Sequence, residues 1–150
     1  MKAIIYYSLS GRTKRELKNR FEGDYFQLKG KLKIPRNYWL QMIYLGMFSI
    51  LNKSLDYDDF EIDFEKYDEV ILGSPVWAFT INTFTKKFLR RNQFKNKKVT
   101  LLLTHEGGPG NAMKHFKRRI DKSNEIVNTL SLQLGSAYKE ATLYKKKKTK

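Results

Sequence analysis

Residues 2–13 read KAIIYYSLSGRT, and they set a pattern that the rest of the chain repeats. Lys2 to Tyr7 is almost continuously apolar and rich in strand formers, which indicates a strand buried on both faces of a parallel sheet. Ser8 to Thr13 is a polar loop. From Thr13 to Phe21 the composition becomes helical, with Leu17 and Phe21 on one face. This stretch therefore predicts a strand, a loop and a helix in that order.

The same alternation recurs along the chain. Further strands are predicted at Asp24 to Leu28, Tyr67 to Gly73, Lys98 to Thr104 and Glu125 to Leu134, and Ser74 to Trp77 is expected to break the third strand. Further helices are predicted at Ile81 to Arg91 and Ala112 to Ile120, with a short closing helix over Ala137 to Tyr144. Strands that alternate with helices predict an α/β domain in which helices cover both faces of a parallel sheet.

One more helix is predicted after the second strand, because Pro35 suits a first helical turn. Apolar residues then recur at helical spacing, and we expect them to pack tightly on the sheet. They are Trp39, Met42, Ile43, Gly46, Met47, Ile50 and Leu51. We assign residues 1–144 to one domain and expect the lysine-rich tail, residues 145–150, to be disordered.

Composition limits the chemistry that the chain can perform. Its 150 residues include no cysteine, which excludes disulfides, thiolate catalysis and iron–sulfur ligation. Any redox chemistry must therefore come from a bound cofactor. No apolar run approaches the roughly 20 residues that cross a bilayer, and the N-terminal run is too short for a signal peptide. We expect a soluble, cytoplasmic protein without membrane insertion.

The formal net charge of +15 favours acidic partners, which include nucleic acid, an anionic membrane and acidic proteins. Eight of the fifteen acidic residues lie between Asp56 and Glu69. This acidic segment precedes the third strand, and we expect it at the amino end of the sheet. The carboxyl end would then lie in a basic field.

Three loops follow buried strands, at the sheet edge where ligands of such folds bind. Ser8 to Thr13 offers hydroxyls and a glycine to a phosphate, although such residues also form an ordinary helix cap. Gly73 to Ala78 places Trp77 where a flat ring could lie, although buried tryptophans commonly fill cores. Thr104 to Gly110 contains three glycines that permit close approach to a planar ligand, or that form a flexible linker. His115 is expected to face solvent.

With these loops in this order, the chain resembles the flavodoxin family, in particular its short bacterial and archaeal members. The resemblance rests on Gly73-Ser74-Pro75-Val76-Trp77-Ala78 and on Thr104-His105-Glu106-Gly107-Gly108-Pro109-Gly110. Ser8-Leu9-Ser10-Gly11-Arg12-Thr13 is similar to the family's phosphate-binding loop, which usually has threonine-glycine in place of Ser10-Gly11. The resemblance implies a doubly wound, five-stranded parallel sheet in the order 2-1-3-4-5, non-covalently bound flavin mononucleotide (FMN) and electron transfer between redox partners.

The resemblance also implies the binding residues. The phosphate would be held by Ser8, Ser10, Gly11, Arg12 and Thr13. One side of the flavin ring would be lined by Ser74, Pro75, Val76, Trp77 and Ala78. The other side would be closed by Thr104, His105, Glu106, Gly107 and Gly108. We identify no catalytic residue and no metal ligand.

Two features depart from the family. Most flavodoxins are acidic and usually carry a tyrosine in the last loop, where this chain has His105 and Glu106. The favoured function is a non-catalytic FMN-binding electron carrier with acidic redox partner proteins. The alternatives are a small FMN-dependent NAD(P)H or quinone-type reductase, and a basic nucleic-acid-binding protein on the same fold, for which the charge is the only support.

Overall fold

The computed structural model describes residues 1–31, 37, 39–41, 43, 44, 47 and 56–136. Within these ranges the strands are β1 (Lys2–Tyr7), β2 (Asp24–Leu28), β3 (Glu69–Trp77), β4 (Thr80–Ile81), β5 (Lys98–His105) and β6 (Glu125–Gln133). The helices are α1 (Arg12–Lys18), α2 (Thr83–Arg91) and α3 (Ala112–Arg118), and Phe64–Lys66 forms a 3-10 helix. Residues 39–41, 43, 44 and 47 are also helical. No helix among these residues is long and apolar enough to span a membrane.

The five long strands form one parallel sheet in the order β2-β1-β3-β5-β6. The two-residue β4 pairs antiparallel with the end of β3 and was not predicted. When only the five long strands are numbered along the chain, their order in the sheet is 2-1-3-4-5, as predicted. The predicted doubly wound α/β fold is therefore confirmed. β1 lies inside the sheet, since Ile4 pairs with Tyr25 on one side and with Ile71 on the other.

Apolar side chains cover both faces of this sheet. Neighbouring residues of a strand point to opposite faces. Ile5 belongs to a large cluster that includes Phe84 of α2 and Phe116 of α3, whereas Ile4 belongs to a smaller cluster with Leu17 of α1. Helices α2 and α3 therefore cover one face, and α1 covers the other.

The third strand is longer than predicted. β3 continues through Pro75 to Trp77, so the prediction that Ser74 to Trp77 breaks the strand is wrong. Pairing with β1 ends at Gly73. Pro75 therefore lies where one side of β3 is already an edge, and sheet edges tolerate proline. The chain then reverses, and Thr80–Ile81 forms β4 instead of the predicted start of α2.

The acidic segment does not lie wholly at the amino end of the sheet. Its last part does, since the Asp68 carboxylate lies 2.7 Å from the ammonium group of Met1. Its first part does not: the Asp56 carbonyl accepts a hydrogen bond from the Lys31 N–H, just beyond the carboxyl end of β2. The prediction is therefore wrong for the first residues of the segment, which are held there by a backbone contact that the charge pattern does not encode.

The predicted helix after Pro35 lies only partly within the described residues. Residues 39–41 are helical, and Asn37 precedes them: its Oδ1 accepts a hydrogen bond from the Trp39 N–H and its carbonyl accepts one from the Gln41 N–H, each at 2.9 Å. The side chains of Trp39, Ile43 and Met47 are exposed, so the prediction that they pack tightly on the sheet is wrong. Pro35, the predicted closing helix and the lysine-rich tail lie outside the described residues.

Candidate functional site

The loops after β1, β3 and β5 meet at the carboxyl end of the sheet, where they enclose a cavity of about 390 Å³. The chain leaves β1 toward β2 on one side, while β3 and β5 lie on the other. This reversal of strand order separates the loops and leaves a crevice between them. The cavity has the size of a small-molecule binding site.

All but two of the predicted site residues line this cavity. They are Ser8, Ser10, Arg12, Thr13, Pro75, Val76, Trp77, Ala78, Thr104, His105, Glu106, Gly107 and Gly108. Gly11 and Ser74 are not part of its wall. Leu9, Gln41, Phe79 and Leu134 also line it but were not predicted. Leu9 and Phe79 lie in or beside the loops that were singled out, whereas Gln41 and Leu134 belong to segments without a ligand motif.

The hydroxyl groups of the first loop have different surroundings. Ser8 is buried, and its Oγ accepts a hydrogen bond from the Lys14 N–H at 3.4 Å. Thr13 is also buried, and its Oγ1 lies 2.8 Å from Thr104 Oγ1, which joins α1 to β5. Ser10 is exposed. Of these three hydroxyls, that of Ser10 is therefore the most accessible to a ligand.

Arg12 is held by residues from the far side of the cavity. Its Nη1 donates to Glu106 Oε1 at 2.8 Å, and its Nη2 donates to the Gly135 carbonyl. The Arg12 side chain is only 12% exposed. This ion pair connects the loops after β1 and β5. The Glu106 carboxylate balances the charge of Arg12 at the end of the cavity where we predicted the phosphate.

The loop after β3 is a two-residue hairpin turn. Trp77 pairs with Thr80, and Ala78 and Phe79 between them have φ values of 47° and 63°. A residue with a Cβ rarely adopts this left-handed conformation, which costs on the order of 1–3 kcal/mol. Phe79 is 65% exposed and lines the cavity. The turn therefore holds an aromatic ring at the mouth of the cavity.

Trp77 lies deeper than Phe79. Its indole meets the Tyr7 ring edge-on, with ring centroids 5.2 Å apart, and it meets Phe84 in the same way at 6.4 Å. Tyr7 and Phe84 in turn stack at 4.6 Å, and burial raises the pKa of Tyr7 to about 12. Trp77 thus attaches the hairpin to the aromatic core while it lines the cavity. Its stacking on a ligand stays a prediction.

Ser74 supports the site from behind instead of lining it. The side chain is buried, and its Oγ accepts a hydrogen bond from Asn82 Nδ2 at 2.7 Å and donates one to the Pro75 carbonyl at 2.9 Å. Asn82 Oδ1 accepts from the Thr85 N–H at 3.0 Å and so caps α2. The prediction that Ser74 lines the ring is corrected, because this network turns its hydroxyl toward the start of α2.

Glycines shape the loop after β5. Gly107, Gly108 and Gly110 have φ values of 138°, 61° and 54°. The Phe79 side chain lies against the last two, so that a Cβ added at Gly110 would be 2.8 Å from the Cβ of Phe79. The loops after β3 and β5 therefore meet at Phe79.

Two histidines lie near the site. His105 Nε2 is 3.1 Å from Ser131 Oγ, whereas its buried Nδ1 has no hydrogen-bond partner among the described residues. His115 was predicted to face solvent, but it is partly buried with Nδ1 3.3 Å from Thr80 Oγ1, and burial lowers its pKa. Within the described ranges, no cluster of acidic and histidine side chains could hold a metal ion.

Solved structures share this architecture over nearly the whole chain. A flavoprotein from Lactobacillus acidophilus, crystallised in complex with FMN, has a TM-score of 0.72 and 20% identity, covering 87% of this chain and 91% of its own. A protein from Bacteroides uniformis, provisionally named a flavoprotein, has a TM-score of 0.75 and 17% identity over 96% and 97% of the two chains. Flavodoxin 1 from Bacillus cereus has a TM-score of 0.50 and 12% identity over 95% and 90%. The chain has the flavodoxin-like fold. No protein-family model matches its sequence, and no curated protein does.

The stretch that contains α2 and α3 is rich in cations, of which Lys87 and Arg91 form ion pairs with Asp56 and Asp59 of the acidic segment. Between Asn82 and Ile120 the sequence contains one acidic residue, Glu106. The cations of the same stretch are Lys86, Lys87, Arg90, Arg91, Lys95, Lys97, Lys98, Lys114, Lys117, Arg118 and Arg119. Helices α2 and α3, which begin beside the cavity, therefore carry positive charge without an acidic residue of their own.

Proposed function

We propose that this flavodoxin-like chain binds FMN non-covalently in the cavity and serves as an electron carrier. One observation carries the proposal: a single cavity joins a hydroxyl-bearing loop to a slot lined by aromatic residues and glycines. FMN has the same two parts, a phosphate on a sugar chain and a flat ring system. The FMN complex of the similar Lactobacillus acidophilus flavoprotein supports the same choice.

The residues of the cavity fit the two parts of FMN. Ser10 and the loop that leads into α1 would hold the phosphate, because the N-terminus of a helix favours a bound anion. Trp77 and Phe79 would face the ring on one side, and Gly107 would let the backbone approach it on the other. The partnerless Nδ1 of His105 would bond a polar atom of the ligand.

Bound FMN supplies the redox chemistry, so the protein needs no catalytic acid or base. The side chains of the cavity bind the cofactor, orient it and exclude water from its apolar part. The charge of the protein surface then determines which redox partner proteins bind. We propose acidic redox partner proteins, supported by the net charge of +15 and by the cations of α2 and α3. Association rates should therefore fall as salt rises.

A quinone-type reductase is the second candidate function. Leu9 and Phe79 are exposed apolar side chains that line the cavity. Such side chains suit an apolar, planar acceptor small enough to reach the cofactor. Rapid NAD(P)H oxidation by the FMN-loaded protein in the presence of a quinone would favour the reductase. Electron exchange with redox proteins, but not with quinones, would favour the electron carrier. Salt-dependent binding to nucleic acid without FMN would favour the third interpretation.

The test compares FMN with riboflavin, which lacks the phosphate. Titration of the purified protein should show binding of FMN, and Ser10→Ala should weaken FMN by roughly 10- to 100-fold while riboflavin changes little, since a hydrogen bond to a charged group is lost. Thr129→Ala, an exposed hydroxyl residue on β6, is the matched control. Absence of FMN binding in this titration would overturn the proposal. Equal weakening of both ligands by Ser10→Ala would remove the first loop from phosphate binding.

A further inference from the structure

The sheet has two edge strands, β2 and β6, and they differ in what protects them from pairing with another chain. β2 is five residues long, starts with the charged Asp24, and leads into residues 29–31, whose backbone is paired with residues 56–58. β6 is nine residues long, and among the described residues β5 is its one partner strand. Short length and charged side chains are common ways to protect a sheet edge. β2 has both, whereas β6 is long.

β6 is also exposed and nearly free of charge. None of its nine residues is buried, and Val127 is 45% exposed. Residues 126–133 are uncharged, in a chain with a net charge of +15. A bulge opposite Val99 and Thr100 lies near the start of the strand, and the rest of its pairing with β5 is regular. An edge strand presents a row of backbone N–H and C=O groups, and this regular part contains no lysine or proline that would keep a partner away.

We propose that β6 is a homodimer interface, in which the β6 strands of two copies pair antiparallel and join the two sheets. A two-fold axis brings the same surface of both copies into contact, and the hydrogen bonds of an antiparallel pair are compatible with this symmetry. With the axis at Thr129, every residue of β6 faces one residue of the second strand. Glu125 then faces Gln133, so no two like charges are opposite each other.

Charge favours a second copy over the other partners that a basic protein attracts. Acidic proteins, nucleic acid and anionic lipid would contact cations, and residues 126–133 contain none. Another uncharged strand matches this edge better, because backbone hydrogen bonds supply the contact. Lys117 shares a shallow groove with Ile126 and Thr129, and each copy is strongly positive, so the two copies also repel each other. The dimer should therefore become more stable as salt rises.

The proposed dimer leaves the cavity accessible. The cavity lies at the carboxyl end of the sheet, where β6 ends at Gln133. Antiparallel pairing places the two Gln133 residues at opposite ends of the interface, roughly 25 Å apart. Each cavity then stays open to its own ligand. The inference goes beyond the proposed function and does not depend on FMN.

Sedimentation equilibrium of the full chain tests the proposal. Wild-type protein should dimerise reversibly as its concentration rises, and more tightly at high salt than at low salt. Thr129→Lys should weaken the dimer at least about 10-fold, because two lysines would face each other across the paired edges. Asn19→Lys adds the same charge at an exposed position before β2, and it should dimerise like wild type.

A disulfide covers the case in which Thr129→Lys does not fold. The chain has no cysteine, so Thr129→Cys introduces a single thiol at an exposed position. Cβ atoms that face each other across an antiparallel pair are about 5 Å apart, near the separation that a disulfide spans. Under mild oxidation, Thr129→Cys should form a covalent dimer much faster than Asn19→Cys does.

Several results would overturn the proposal. They are a wild-type chain that stays monomeric at high concentration and high salt, a dimer that Thr129→Lys leaves intact, and equal rates of disulfide formation in the two cysteine variants. A dimer that weakens as salt rises would do the same, since a charged surface would then be the interface. FMN titration of the same samples reports separately on the proposed function.

Discussion

Two loops of the cavity contain residues with positive φ, but the residue types differ. In the turn between β3 and β4, Ala78 and Phe79 have positive φ, whereas in the loop after β5 the residues with positive φ are Gly107, Gly108 and Gly110. Glycine takes this conformation at little cost, but a residue with a Cβ costs on the order of 1–3 kcal/mol. The loop after β5 is therefore relaxed, and the turn between β3 and β4 is strained.

The difference follows from what each loop presents. The loop after β5 has no Cβ at Gly108 and Gly110, so the Phe79 side chain can lie against its backbone. The turn keeps Phe79 in spite of the strain, and strained residues concentrate at functional sites. We therefore interpret the turn as the part that contacts the ligand and the glycine loop as its support.

The largest effect is expected from Gly110→Ala, which breaks the contact between the two loops. The new Cβ would lie 2.8 Å from the Cβ of Phe79, at a φ of 54°. The free energy of unfolding should fall by about 2–3 kcal/mol in urea denaturation, from the clash and the unfavourable φ together. Gly108→Ala is the control, since its Cβ would be 3.5 Å from Phe79 Cε1 and only the φ cost applies. Equal losses of unfolding free energy in the two variants would show that contact with Phe79 is not the reason for glycine at position 110.

The attachment of the strained turn to the core depends on Tyr7, and pH can test it. Burial raises the pKa of Tyr7 from 10.0 to about 12, so the folded protein keeps a proton that the unfolded chain loses. The stability that the neutral phenol contributes is therefore complete below pH 10 and is lost as the pH rises from 10 to 12, by about 2–3 kcal/mol in total. Urea unfolding across this range should show a shallower loss in Tyr7→Phe. An equally steep loss in that variant would assign the effect to other groups.

Phe79→Gly should change stability and ligand binding in opposite directions. Relief of the positive φ should raise the free energy of unfolding by about 0.5 kcal/mol, since part of the gain is offset by a more flexible unfolded chain. Loss of the ring should weaken FMN binding by about 5-fold. Flavin fluorescence titration and thermal unfolding measure the two effects. Ala78→Gly relieves the same strain and keeps the ring, so weaker FMN binding in both variants would assign the effect to the turn conformation.

A small change in stability is expected from Glu106→Gln, which removes the ion pair between the glycine loop and Arg12. The pair is partly exposed, so the free energy of unfolding should fall by less than about 1 kcal/mol. Arg12 would lose a counter-charge, and the ratio of FMN to riboflavin affinity should rise a few-fold. Titration of both ligands at one ionic strength measures this ratio. If the ratio stays at its wild-type value, Arg12 does not act on the phosphate.

Local composition was sufficient to predict the sheet and the position of the cavity. A strand buried on both faces must be apolar, so the runs at Lys2–Tyr7 and Lys98–His105 could be recognised without their neighbours. Right-handed crossovers leave few ways to connect such strands. The loops at their carboxyl ends then had to meet at one edge, which is why most of the predicted residues line one cavity.

The direction of individual side chains depended on residues far away in the chain. Ser74 and Trp77 belong to one loop motif, yet Ser74 turns to Asn82 and only Trp77 lines the cavity. Arg12 meets Glu106 across 94 positions of sequence. The helical spacing of Trp39, Ile43 and Met47 predicts an apolar face but not what covers it. A local pattern records which residues are apolar or polar, whereas the partner of each is set by long-range packing, which is complete only when the chain has folded.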